Sequence, residues 1–526
     1  MLQRELRTQR REPLTVLYML VLGILAGAFA AAGPVELVRN RGVVPRDAAW
    51  SMLLASTALT AFGQVITTMV AATVVLRDEA ERVNELLTAT LLSRREYLLG
   101  KLLAALCVLV LIYAAIPLGL AVGAVAAGGA PLRALTGSVL PFVLLVLPTM
   151  LAVGALQFAV GVISGRLWVI VAQGLLLIWL WSACVDGAIS PAIGAASAWL
   201  DPFGSAAVLR STADWSDLQR ATGAMPITAA IIGGRALWLL IGSVAAFLAL
   251  TVAPRADANA HSHAASRAGN ALSVHAQPLL RGGELSAWRG LRATTSYVAS
   301  WILRDPGWRI LALLGAINVG VHALIEPRVS SMTSDVTTVA LTALHLHARL
   351  FLILLATIYA GELVWREREE RSSPLFDALP ISDGSLLLGR VSGVIVAQCA
   401  LVFALTLTAS GCAMIGGRAI VSPGVLILNV FFTVLLPFLL WMLIALGVHV
   451  AIQQKVAGHL LCIAAWVLAV ISSRNVAAPV NGDQPAWWWA VAAGGALLVA
   501  WLGWVRGNDS ARGPRIRGAI AGAAFS

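Results

Sequence analysis

Charge is scarce in this chain: only 12% of its 526 residues are Asp, Glu, Lys or Arg, about half the share of a water-soluble protein. That excludes an ordinary soluble surface over most of the length. Paired cysteines are also missing. Cys107, Cys184, Cys399, Cys412 and Cys462 lie in or at the ends of apolar runs with no paired spacing, so they read as small core hydrophobes. No G-x-x-x-x-G-K-[ST] phosphate loop occurs. Gly100-Lys101 is followed by Leu102 and opens an apolar run, so no nucleotide is hydrolysed at such a loop here. No HExxH is present, which excludes a zinc peptidase of that kind. The net charge of +11 comes without a basic stripe interleaved with stacking aromatics, so nucleic acid is not an expected partner. The first apolar run is followed by PVELVRN, which lacks a cleavage site, and it is kept as a membrane span.

What is there is hydrophobic sequence, 59% of the chain. Runs of about 20 residues or more, the length needed to cross the hydrocarbon, fall near 14–33, 48–76, 98–128, 135–164, 167–186 and 227–253. The second half repeats the count, near 307–325, 337–363, 386–415, 421–450, 456–473 and 486–505. The expected fold is an all-α polytopic membrane protein of about twelve transmembrane helices in two parallel six-helix repeats. Residues 1–253 form the first half, 254–286 a cytoplasmic linker, and 287–526 an interfacial helix followed by the second half.

Lysine and arginine set the orientation. With the N-terminus inside, 26 of the 37 fall in cytoplasmic segments and 10 outside, with Arg349 within a span. Both termini are therefore expected in the cytoplasm. The linker, rich in Ala, Ser, His and Gly, has no apolar periodicity, and its His261 and His263 read as solvated groups without further ligands. No metal or other cofactor is expected. AWRGLRATTSYVASWILRDPGW then mixes apolar and basic residues as a helix lying along the inner leaflet would.

Two polar segments repeat. RDEAERVNELLTATLLSRREYLLGK, Arg77 to Lys101, aligns without a gap on REREERSSPLFDALPISDGSLLLGR, Arg366 to Arg390, at a shift of 366 − 77 = 289. Asp78 falls on Glu367, Glu81 on Glu370, Arg82 on Arg371, Leu86 on Leu375, Ser93 on Ser382 and Lys101 on Arg390. Each copy lies between the second and third spans of its half, as parallel repeats require. In the first copy Val83, Leu86, Leu87 and Leu91 share one helical face, while Asp78, Glu81, Arg82 and Glu85 occupy the other. Such a helix could merely lie on lipid. Its recurrence with mixed charge, instead of a purely basic face, favours a docking element for a cytosolic protein.

This charged turn, leucine pair, Ser-containing break and LLGK resembles the segment between the second and third spans of type-2 ABC exporter permeases. Sharper likeness lies in GELVWRERE (Gly361 to Glu369), DALP (Asp377 to Pro380), LDPFG (Leu200 to Gly204), Trp215 and GRALW (Gly234 to Trp238). These resemble the membrane part of bacterial permeases often fused to a zinc aminopeptidase. The resemblance implies a permease of the bacterial inner membrane without catalysis of its own. ATP would be bound and hydrolysed by two copies of a cytosolic ATP-binding subunit, with a separate peptidase as a further conceivable partner. It also implies that Asp78, Glu81, Arg82, Glu85, Leu86, Leu87, Glu367, Glu370, Arg371, Leu375 and Asp377 dock the ATPase, and that Asp201, Pro202, Phe203, Gly204 and Trp215 form an outer loop found in one half only.

Two other readings stay open. A transporter driven by an ion gradient would place ionisable groups deep in its spans. The candidates are His322, His345, His347, Arg349, Glu362 and His449, with His345 and His347 expected to face different directions on a helix. A membrane scaffold without transport is the third class. For the outer loop, a structural cap with interfacial aromatics is the alternative to a substrate gate.

Overall fold

A helix satisfies its own backbone donors and acceptors, so a chain of long apolar runs in lipid folds as helices. The computed structural model describes residues 12–32, 45, 47–80, 93–190, 193–252, 287–325, 335–370, 372, 381–419, 422–452, 454–472 and 486–503. Among these every regular element is helical. The first half comprises α1 (Pro13–Ala32), α2 (Ala49–Ala80), α3 (Arg94–Tyr113), α4 (Ala115–Ala126), α5 (Pro131–Pro141), α6 (Leu147–Ser164), α7 (Leu167–Gly187), α8 (Gly194–Leu200), α9 (Ser205–Ser211), α10 (Asp217–Thr222) and α11 (Ala229–Val252). The second comprises α12 (Ala287–Arg304), α13 (Pro306–Ile325), α14 (Val336–His347), α15 (Arg349–Glu369), α16 (Asp383–Ile415), α17 (Pro423–Asn429), α18 (Leu436–Ala451), α19 (Lys455–Ser472) and α20 (Ala486–Gly503).

Among the described residues nine continuous stretches are long and apolar enough to cross a membrane, ten if α14 and α15, bent by 53° at their junction, count as one. The chain is a multi-pass helical membrane protein. Every expected apolar run falls on a helix, although the apolar parts of α19 and α20 are shorter than a full span.

Several local features recur at the offset of 289 residues. Ser93 and Ser382 are N-caps with extended backbone, their hydroxyls accepting from the N–H of Glu96 and Ser385. A stretch of π-helix, Phe142–Val146, precedes α6, and another, Val430–Leu435, precedes α18. The cause is local: Pro148 and Pro437 lack the N–H that would close the regular bond four residues back. The ladder slips by one, so Leu147 N–H donates to the Phe142 carbonyl and Leu436 N–H to that of Phe431.

Helices approach closely where glycines align. Gly23 and Gly27 on α1 face Gly119 and Gly123 on α4; a Cβ on Gly119 would strike the Gly23 carbonyl, and one on Gly123 the Gly27 carbonyl. This is small-residue packing of the kind membrane helices use in place of hydrophobic drive. Gly389 and Gly393 on α16 receive Thr294 and Val298 of α12 in the same manner. Helix α12 buries Gly290, Val298, Ala299 and Ile302 there and leaves Trp288 and Tyr297 exposed.

Among the described residues each half has a large apolar cluster of its own, and helices of the two halves meet in at least two places. Leu460, Ala464 and Val467 of α19 pack into the first-half core, where α19 lies on α1. Leu175 and Trp179 of α7 pack on the second-half core, where α7 lies on α13.

Candidate coupling site and outer cap

The charged end of α15 meets the start of α16 and of α19. Glu367 binds Arg390 of α16 at 2.7 Å, with only 7% of the Arg390 side chain exposed. Arg366 binds Glu370 at 2.9 Å and lies over the Trp301 ring at 3.9 Å. Lys455, opening α19, reaches Glu362 at 2.8 Å and Glu369 at 2.7 Å, two carboxylates seven residues apart on one face of α15. Carboxylates at a helix C-terminus oppose the dipole, and a cation at an N-terminus does too; pairing them across elements removes both penalties.

In the first half Lys101 stands where Arg390 stands in the second. It is 2% exposed, and its Nζ donates to the Val74 carbonyl at 2.7 Å. In both halves the cation that ends the repeated segment therefore ties the third long helix back to the second. Of the residues expected to dock an ATPase, Glu367 is spent on Arg390, and Glu370 pairs with Arg366 while staying about half exposed, at 53%. Asp78 lies in the last turn of α2. Glu81, Arg82, Glu85, Leu86, Leu87, Arg371, Leu375 and Asp377 lie outside the described residues, as does the linker 254–286.

The pairing of Glu367 with Arg390 gives a direct stability test. In a double-mutant cycle with Glu367→Gln and Arg390→Gln, thermal unfolding in detergent should yield a coupling of about 1–3 kcal/mol. Zero coupling would mean that the two side chains do not support each other.

The loop expected on the outer side packs against the helices. Asp201 is fully buried; its Oδ1 accepts from the N–H of Phe203 at 2.8 Å and its Oδ2 from that of Ala206 at 2.6 Å, which secures the start of α9. Gly204, at φ 88°, takes the left-handed turn that brings the chain into α9. Phe203, 1% exposed, meets the Trp181 ring edge-on at 6.5 Å, and the Trp181 Nε1 donates to the Ser205 hydroxyl at 2.9 Å. Arg235 of α11 closes the loop: Nη1 donates to the Pro202 carbonyl at 2.7 Å and to the Thr149 hydroxyl at 2.6 Å, and Nη2 to the Asp201 carbonyl at 2.6 Å. Burial pushes the Asp201 carboxyl above the usual aspartate range, while the Arg235 guanidinium and the backbone donors pull it back. Trp215 is half-buried against a neighbouring apolar cluster that includes Trp50 and Ala206 to Leu209. LDPFG and GRALW, separated in sequence, are thus tied together by the hydrogen bonds of Arg235.

Among the remaining ionisable groups, His345 shares a hydrogen bond with Thr433 at 2.7 Å, whereas His347 turns to Asp186 at 3.4 Å, so the two do face apart. Glu362 belongs to the Lys455 cluster. His449 is buried edge-to-face against His459, ring centroids 4.4 Å apart. Asp186, His322 and His347 come together as three side chains of metal-ligating type, their ligand atoms all within 4.8 Å of one another. Asp186 had no signal in the sequence, because its partners lie more than a hundred residues away in the other half.

No family model matches this sequence, and no curated protein matches it.

Proposed function

We propose that the chain is the membrane-spanning permease subunit of an ATP-driven ABC transporter, an exporter of the bacterial inner membrane with both termini in the cytoplasm. The supporting observation is the repeated junction between the second and third long helices. In each half it carries a charged segment, a serine N-cap and a buried cation bound to the preceding helix. Such a junction is stiff. A push on the segments 77–97 and 366–386 by two closing ATPase subunits would pass into both helices of each half and tilt the halves as bodies. Twelve spans in two parallel repeats, related by an axis along the membrane normal, are part of this reading.

The test is co-purification with a cognate cytosolic ATP-binding subunit after Glu81→Lys and Glu370→Lys. The reading expects loss of the complex and of membrane-stimulated ATPase activity; an undiminished complex rules out this docking mode. A second reading, transport driven by an ion gradient, draws on the ionisable trio Asp186, His322 and His347 at the seam of the halves. It expects the purified chain alone to transport in proteoliposomes without ATP.

A further inference from the structure

We infer that Asp186, His322 and His347 form a binding site for a divalent transition-metal ion, of the zinc class, at the seam between the two halves. The site stands independently of the transport reading. Each ligand is delivered by a different helix. Asp186 closes the last turn of α7, His322 sits in the last turn of α13, and His347 is the final residue of α14, where the chain bends by 53° into α15. The bend is held, because Asn318 of α13 donates its side-chain amide to the His347 carbonyl at 3.0 Å. Two of the helices belong to the second half and one to the first, so an ion here would join the halves.

The distances suit an ion between these side chains. His322 Nε2 and His347 Nδ1 lie 3.3 and 3.4 Å from the same carboxylate oxygen, Asp186 Oδ2. A charge-assisted N–H···O contact settles at about 2.7–2.9 Å. An ion bound at zinc–nitrogen and zinc–oxygen distances of about 2.0–2.2 Å in a tetrahedron separates its ligand atoms by about 3.3–3.5 Å. The observed separations fall on that edge length. The two imidazoles are stacked, centroids 3.4 Å apart and planes within 3°, with one nitrogen of each beside the same carboxylate oxygen. Binding would turn the rings out of this stack so that both nitrogens face the ion. Two imidazoles and one carboxylate suit a borderline metal, whereas magnesium and calcium prefer all-oxygen shells. The side chains are 31%, 19% and 11% exposed in the order Asp186, His322, His347, so the site is not closed over by the protein and a fourth ligand position stays free of protein.

The test uses the full chain, purified in detergent, stripped with a chelator and titrated with zinc against a chromogenic competitor, and with cobalt(II) as a spectroscopic probe. The expected result is one ion per chain. Cobalt should give the strong visible d–d bands of a tetrahedral nitrogen and oxygen shell without thiolate charge transfer, since no cysteine is among the ligands. Asp186→Asn, His322→Gln and His347→Gln should each weaken zinc about 100-fold or more, and zinc should raise the melting temperature of the wild type but not of these variants. His449→Gln, which alters the other histidine pair, should leave binding unchanged. Less than one tight site in the wild type, octahedral cobalt spectra, or affinity preserved in Asp186→Asn would each overturn the assignment. The first two outcomes need no variant and so do not depend on any variant folding.

Discussion

Arg235→Met is expected to cost about 3–5 kcal/mol, enough to remove most monodisperse protein from a detergent extract. Three hydrogen bonds of 2.6–2.7 Å disappear with the guanidinium. The larger loss is electrostatic: the Asp201 carboxylate, 0% exposed, loses the cation that offsets its burial. Removing one member of a buried pair leaves the other uncompensated, which is worse than removing both. Hence the double variant Arg235→Met/Asp201→Asn should recover part of the yield, because an asparagine oxygen can still accept from the Phe203 or Ala206 N–H. The measurement is the monodisperse fraction on size-exclusion chromatography together with the thermal midpoint. If the single variant is as stable as wild type, the cap does not hold this face of the first half.

Gly123→Leu is the second large effect, expected at about 3 kcal/mol or more. A Cβ at Gly123 would meet the carbonyl oxygen, carbonyl carbon and Cα of Gly27, all of them backbone atoms that cannot swing away as a side chain would. Helices α1 and α4 must then separate along their glycine faces. The loss should grow from Gly123→Ala through Gly123→Val to Gly123→Leu. Gly495→Ala, in the middle of α20 and with no described atom within 4 Å of an added Cβ, is the control; helix propensity alone should make it neutral or stabilising by about 0.5–1 kcal/mol. Thermal unfolding of the series separates a steric contact from a general sensitivity to glycine replacement.

Much of the architecture was legible because lipid imposes length and apolarity on each span, and those are properties of contiguous sequence. The runs near 14–33, 48–76 and 386–415 fall on Pro13–Ala32, Ala49–Ala80 and Asp383–Ile415. The equivalence of Lys101 with Arg390 was legible too, but not its purpose, since the carbonyl of Val74 and the carboxylate of Glu367 become visible as partners only when neighbouring helices are in place. Pro148 and Pro437 were present in the sequence, yet the slip to π-helix depends on how each span relieves a missing donor. Asp186 was invisible for a stronger reason. A single carboxylate at a span end carries no periodicity, and its meaning comes from two histidines delivered by the opposite half. The LDPFG loop lay between these cases: it and GRALW were both apparent as motifs, and the structure added that Arg235 of the second hydrogen-bonds the backbone of the first.

The 526 residues contain two lysines, and both have been described. Lys101 is 2% exposed with its amine on a backbone carbonyl, and Lys455 is clasped by Glu362 and Glu369. Side-chain amines are therefore almost unavailable on this protein. Acylating labels, amine-directed crosslinkers and enzymes that acetylate or ubiquitinate lysine find little to act on. The positive charge that flanks the helices is instead carried by guanidinium groups, which neither titrate in the range a bilayer tolerates nor accept those modifications.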